Sequence, residues 1–298
     1  MSHKNLSVKI KIPKFFRDKL KHKEVNLIYK RFEKSLNTIE NFGVAVSGGP
    51  DSLALAFLAK IYSLKRGISP KFFIVDHKLR PESTMEAKAV QKILRKVFIN
   101  LEILTWKGKK PKNNIQSIAR KIRYQLMNDR CDKYKIKSLL VGHHQDDLIE
   151  NFFIRLLRGS GLKGLVSFYN YRNLRRNNIN IVRPLLDFSK EDLLYVTKKT
   201  FNFHIDDPSN RSLEYLRSRV RFMINNLKKN GLDEKKFKMT FENLISSNNS
   251  IEFFVQKNIS ENSYIGPSKN NNRAFLTSKF FSTCLLYTSP SPRDRTRS

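Results

Sequence analysis

Residues 42–65 read FGVAVSGGPDSLALAFLAKIYSLK, and the order of residue types there decides the fold. FGVAV makes a buried strand, and beyond Ser47-Gly48-Gly49-Pro50-Asp51-Ser52 the apolar positions Leu53, Ala54, Phe57, Leu58 and Ile61 recur at helical spacing. A strand that passes through two glycines into a helix aims backbone N–H groups and a helix N-terminus at whatever sits above the strand's C-terminal end, which makes an anion site. Gly48 and Gly49 permit close backbone approach, Ser47 and Ser52 supply hydroxyls, and Asp51 could hold a magnesium ion against phosphate oxygens. An ordinary strand-to-helix turn capped by Asp51 or Ser52 is the plainer alternative. The stretch is not a Walker A loop, because no Lys follows the glycines at the required place.

Outward from this stretch the pattern repeats. KFFIVD (71–76), LEILTW (101–106), SLLVGH (138–143) and IVRPLL (181–186) read as four more strands. Between and after them, amphipathic stretches predict helices over about 83–98, 113–134 and 145–157, one opened by the Ser189 cap with Asp192, and a basic one over 213–228. YNYRNLRRNNIN (169–180) reads as an exposed loop and 206–210 as a turn. The expected class is α/β: a Rossmann-like parallel sheet with helices on both faces, followed by a smaller helical appendage. The expected organisation is a basic extension at 1–38, a catalytic domain at 39–228 and a helical linker at 229–283. Residues 284–298 open with CLLYTSPSPRD, which matches the conceptual translation of a sequencing-library adapter, and are expected to be an artefact of it.

The chain has 298 residues and a net charge of +32, which points to a polyanionic partner such as RNA. Codon bias in an AT-rich genome, which also enriches Asn and Phe, is the competing source of that charge. Residues 1–38 carry 11 basic and 3 acidic residues, the pattern of a solvated helical face or an RNA arm. No apolar run approaches the roughly 18 residues of a membrane span, and the N-terminus lacks a secretory pattern, so the cytoplasm is the expected compartment. Two cysteines, Cys131 and Cys284, cannot build a disulfide framework or a four-thiolate metal site. Nor do His77, His143 and His144 with Asp146 and Asp147 offer the spacing of a closed zinc set.

SGGPDS resembles the SGGxDS loop of the N-type ATP pyrophosphatases, or PP-loop family, which split ATP into AMP and pyrophosphate. VDHKLRPES (75–83), IARKIRY (118–124), GHHQDDLIENFFIRLLRGSGLKGL (142–165), RPLLDFSKEDL (183–193) and DPSNRSLEYLRSRVR (207–221) narrow the resemblance to the tRNA(Ile)-lysidine synthetases. It covers roughly residues 42–227, and it implies that 229–283 is either the helical linker or the start of a truncated tRNA-binding region. It implies an adenine nucleotide α-hydrolase-like fold and an ATP-dependent ligase that joins free L-lysine to C2 of the wobble cytidine of the CAU-anticodon isoleucine tRNA through an adenylated intermediate.

The residue roles follow from that reaction. The loop from Ser47 to Ser52, with Arg120 and Arg123, would bind ATP, and Asp51 would take Mg²⁺ through the phosphates. Asp147 and Glu150, three apart on a helix, suit the ammonium of lysine. Asp51, His143 and Asp147 are the catalytic candidates, with the identity of the general base left open. Arg158, Arg217, Arg219 and Arg221 are candidate tRNA contacts or, equally, surface charge. Many members read DDQAET where this chain has DDLIEN at 146–151; the acidic spacing is kept. Homodimerisation is left open.

Thiocytidine synthetases share the loop but need paired cysteines, and amidating relatives need an ammonia source, of which no domain is evident here. A non-catalytic nucleotide or RNA binder has no need of carboxylates at 51, 147 and 150 facing a polyanion.

Overall fold

The computed structural model describes residues 12–36, 41–108, 115–170, 173–176, 179–206, 216–266 and 275–278. Two helices, α1 (Lys14–Leu20) and α2 (Lys23–Ser35), precede strand β1 (Phe42–Val46). Helices and strands then alternate through α3 (Pro50–Arg66), β2 (Lys71–Asp76), α4 (Ser83–Lys96), β3 (Leu101–Thr105), α5 (Ile115–Lys133), β4 (Ser138–Leu140) and α6 (Gln145–Leu156). After α7 (Leu162–Asn170) come the hairpin β5 (Asn173–Arg176) and β6 (Ile179–Val182), then α8 (Lys190–Thr200), α9 (Leu216–Lys229) and α10 (Glu234–Asn262). A small hairpin, β7 (Ser263–Gly266) and β8 (Phe275–Ser278), follows.

The main sheet runs in the order β3-β2-β1-β4-β6-β5. Five strands are parallel, as expected, and β5 pairs antiparallel with β6 at the edge. The expected loop at 169–180 is therefore corrected: α7 runs to Asn170, β5 occupies 173–176 and β6 begins at Ile179. An edge strand needs pairing on one side only, so NLRR carries no apolar alternation to betray it. The first residues of the helix expected over 113–134, the turn residues 207–210, the start of the basic helix at 213 and the tail at 284–298 lie outside the described residues.

Period-two alternation sends each strand's side chains into two cores. Phe42, Val44 and Val46 of β1, with Phe72 and Ile74 of β2, join α3 and α4 on one face. Phe73, Leu139, Val141 and Ile181 pack on the other face with Tyr124, Met127 and Cys131 of α5. Helices thus cover both faces. The N-terminal helices are core elements rather than an extension: Phe16, Val25, Tyr29 and Phe32 are fully buried in the first cluster, each contributing about 1.5–3 kcal/mol of burial. Their basic residues occupy the outward face.

The chain folds as two compact units, Met1–Ile149 with Tyr171–Glu214, and Glu150–Asn170 with Tyr215–Ser298. This division differs from the expected boundary at 228, because the α6–α7 segment and α9 belong with α10. In the second unit Phe152 meets Phe237 and Phe241 edge-on at ring-centroid distances of 5.2 and 5.9 Å, and Tyr169 meets Phe241 at 6.0 Å. Among the described residues no helix is long and apolar enough to cross a membrane.

Candidate active site

Strand β1 ends at Val46 and the chain turns through Gly48, whose φ of +87° is accessible at low cost only to glycine. A Cβ there would also lie 2.8 Å from Ile205 Cδ1. The Gly48 carbonyl accepts the Ile205 amide at 2.9 Å, tying the loop to the segment after α8. Gly49 occupies the N-cap position of α3 without a side-chain cap, and Pro50 starts the helix. The capped-turn alternative is therefore not what forms. Instead Ser52 Oγ accepts from the Ser47 amide at 3.0 Å and donates to the Gly49 carbonyl at 2.9 Å, and the Ser47 hydroxyl donates to Ser52 Oγ at 3.1 Å. Buried Thr197 of α8 donates to the Pro50 carbonyl at 2.7 Å. Gly142, at the exit of β4, stands so close to α3 that a Cβ would be 3.3 Å from the backbone of Asp51 and Ser52.

Above these strand ends lies a cleft of about 250 Å³ within the first unit. Ser47, Asp51, Ser52, Arg120, Arg123 and His143 all line it, so the structure brings together residues that the sequence spreads over nearly a hundred positions. The Arg120 guanidinium lies 5.2 Å from the centroid of the Tyr124 ring. Two cations facing a glycine-rich loop at a helix N-terminus give the cleft the electrostatics of a polyphosphate site. An Arg80–Glu86 ion pair at 2.8 Å also faces it.

At the foot of α6, His144 is buried between two carboxylates. Its Nε2 lies 3.6 Å from Asp51 Oδ2 and 3.7 Å from Asp147 Oδ2. Its Nδ1 accepts the Asp146 amide at 3.3 Å, which leaves the proton of the neutral ring on Nε2, toward the two acids. Asp147 Oδ2 in turn accepts the His144 amide at 3.1 Å. Burial pushes the Asp51 carboxyl above the usual carboxylate range; the charge of Asp147 adds to this, while His144 and Lys190 oppose it. Asp51 Oδ1 is buried without a hydrogen-bond partner, an arrangement that fits an oxygen-seeking cation such as Mg²⁺.

His143, the sequence candidate, faces the cleft differently. Its Nδ1 accepts from Nε of buried Arg183 at 3.3 Å, so the neutral ring presents a donor rather than a base. The sequence reading weighed His144 only as a zinc ligand and gave Arg183 no role. Asp76 was likewise given none; it closes β2 and accepts from Ser83 Oγ at 2.8 Å, Thr84 Oγ1 at 2.7 Å and the Lys78 amide at 3.1 Å. It fixes the turn that carries His77 and Arg80 into the cleft. VDHKLRPEST (75–84) contains the signal, since an acid followed by Ser and Thr seven and eight residues later can clasp a helix start.

In the second unit Glu150 is almost fully buried and its carboxylate takes Arg217 Nε at 2.7 Å and Arg221 Nε. The residue expected to hold a lysine ammonium thus engages two of the arginines expected to hold tRNA. Arg158 and Arg219 are exposed.

The class that this loop, sheet and cleft define is matched by a family model described as the PP-loop domain over residues 19–228. The chain belongs to the PP-loop family. It is 43% identical over 185 residues to the tRNA(Ile)-lysidine synthase of Orientia tsutsugamushi, covering 62% of this chain and 41% of that protein. It is 36% identical over 211 residues to the enzyme of the same name from Bradyrhizobium diazoefficiens, covering 70% and 58%. With the Rickettsia akari protein of that name it shares 37% identity over 233 residues, 71% of this chain and 53% of that one. The chain spans about half the length of these curated relatives. Among solved structures it is similar to the U34-tRNA thiolase NcsA from Methanococcus maripaludis, at a TM-score of 0.62 and 20% identity over 76% of this chain and 81% of that one. That likeness concerns the fold.

Proposed function

We propose that this chain joins free L-lysine to C2 of the wobble cytidine of an isoleucine tRNA with a CAU anticodon, using ATP in the cytoplasm and releasing AMP and pyrophosphate. The observation that carries the reading is Asp51: a carboxylate with one buried, unpartnered oxygen at the head of α3, in one cleft with Arg120 and Arg123. The names of the relatives, tRNA(Ile)-lysidine synthases, support an isoleucine tRNA as the substrate, and the chain's charge suits an RNA.

In this reading the loop amides and the start of α3 hold the phosphates while the cytidine C2 oxygen attacks the α-phosphate, and Arg120 and Arg123 balance the charge as pyrophosphate departs. Asp51 would hold Mg²⁺, which when bound neutralises phosphate oxygens. The amine of lysine then attacks C2 and expels AMP. Asp147 attracts its ammonium form, and a carboxylate is better suited than His143 to receive the proton, because the His143 ring already accepts from Arg183. Sulfur transfer is not supported: Cys131 is buried and its thiol is pushed up to about 12 by burial, with Asp132 adding, which makes it a poor nucleophile. The test is mass spectrometry of nucleosides from a CAU-anticodon tRNA incubated with the chain, ATP and labelled lysine. Lysidine carrying the label supports the reading; unmodified cytidine under conditions where tRNA is bound overturns it.

A further inference from the structure

Helix α9 reads LRSRVRFMINNLKK, with five basic residues and no acidic one. Helical spacing sorts these cations into two sets. Arg217 and Arg221, four apart, share a face and close on Glu150, while Val220 and Ile224 are buried beside them. Arg219, Phe222, Asn225, Asn226 and Lys229 recur at spacings of three and four on the opposite side, and all are exposed. Phe222 leaves 60% of its surface in water.

We infer that this outer face of α9 binds unpaired nucleotides of RNA, with Phe222 as a stacking platform, Arg219 and Lys229 on flanking phosphates, and Asn225 and Asn226 within reach of base edges. The inference deepens the tRNA reading and rests on it for the identity of the RNA. Its chemistry is independent: an exposed ring between cations suits a base, whose π-face stacks regardless of sequence, with phosphates on either side. The ten helical steps from Arg219 to Lys229 span about 15 Å of helix, room for a short single-stranded segment. A duplex would hide its bases from the ring, so loops and single strands are favoured. Charge argues against a second copy as the occupant, because the chain carries +32 and this helix has no acid to meet its own basic face. It also separates Arg219 from its neighbours: of the three arginines, only the one that faces away from Glu150 belongs to this surface.

The test is fluorescence anisotropy of the full 298-residue chain with two labelled probes, a CAU-anticodon tRNA transcript and oligouridine, without ATP or lysine. Phe222→Ala should weaken both about tenfold and Phe222→Trp should restore them, as base stacking does in single-strand binders. Arg219→Ala and Lys229→Ala should each lower the slope of log affinity against log salt by about 0.7. Phe222 is exposed, so circular dichroism and melting of these variants should match the parent. Unchanged binding by Phe222→Ala, absent binding by the parent, or a ring whose removal alters only the sedimentation of the protein would overturn the inference. Lysidine formation is assayed separately. Its failure with binding through this face intact removes the enzymatic reading alone, and turnover that ignores Phe222→Ala and Arg219→Ala removes this inference alone.

Discussion

His144 Nε2 lies 3.6 Å from Asp51 Oδ2, with Asp147 Oδ2 at 3.7 Å on the same imidazole nitrogen. One ring therefore stands between the two carboxylates, of which Asp51 lines the cleft. His144→Ala should lower kcat/KM for AMP formation by about a hundredfold, the scale expected when a catalytic group moves by about 1 Å. His143→Gln, which keeps a donor toward the cleft, should cost less than about tenfold. Steady-state kinetics of the two variants side by side checks the assignment; equal losses would remove the distinction between the adjacent histidines.

Asp51 carries a stability cost. Its folded-state carboxyl sits above the ordinary range, chiefly through burial, so the ionised form disfavours folding at neutral pH. That penalty lessens as pH falls through the folded value and is gone below the unfolded carboxylate pKa of about 3.9. Asp51→Asn should raise the melting temperature at pH 7 and lose that advantage at pH 4, while AMP formation falls by about 10²–10³. Differential scanning calorimetry at the two pH values reads the first effect directly.

Asp76 runs the opposite way. Burial pushes its carboxyl up, but the Thr84 and Ser83 hydroxyls, the Lys78 amide and the Lys78 charge outweigh it and hold the group below the usual range. A depressed folded value contributes stability above the unfolded pKa that is lost as pH falls through the folded one. Asp76→Ala should cost roughly 2–3 kcal/mol at pH 7, the loss of hydrogen bonds to a charged, buried acceptor, and much less in acid. Urea melts across pH 3–7 measure the difference.

Glu150→Ala leaves Arg217 and Arg221 without their shared carboxylate and should destabilise the protein by roughly 1–3 kcal/mol, the lower side of the range for broken buried pairs because both guanidinium groups reach solvent. Combined with Arg217→Ala the loss should be less than additive. Denaturant melts of the single and double variants check this. Additive losses would mean that Glu150 is held by other contacts.

Five parallel strands were legible because each begins with an apolar run bounded by turn residues, and the loop was legible because two glycines between a strand and a helix have few other uses. β5 was not, since NLRR carries no apolar alternation to mark it as a strand. His143 and His144 are adjacent where β4 gives way to α6, and the side on which each ring falls depends on a backbone path that includes the bridge between His144 and Leu185. The split of Arg217 and Arg221 from Arg219 is implicit in helical spacing. It became readable only once Glu150, more than sixty residues earlier, was placed against one side of α9.

The most direct measurement is release of labelled AMP from ATP by this chain with lysine and the CAU-anticodon tRNA supplied together and singly, alongside Asp51→Ala. AMP formation that requires both partners and disappears in Asp51→Ala is the predicted result. AMP released without tRNA, or undiminished turnover by Asp51→Ala, would contradict the assignment of the cleft.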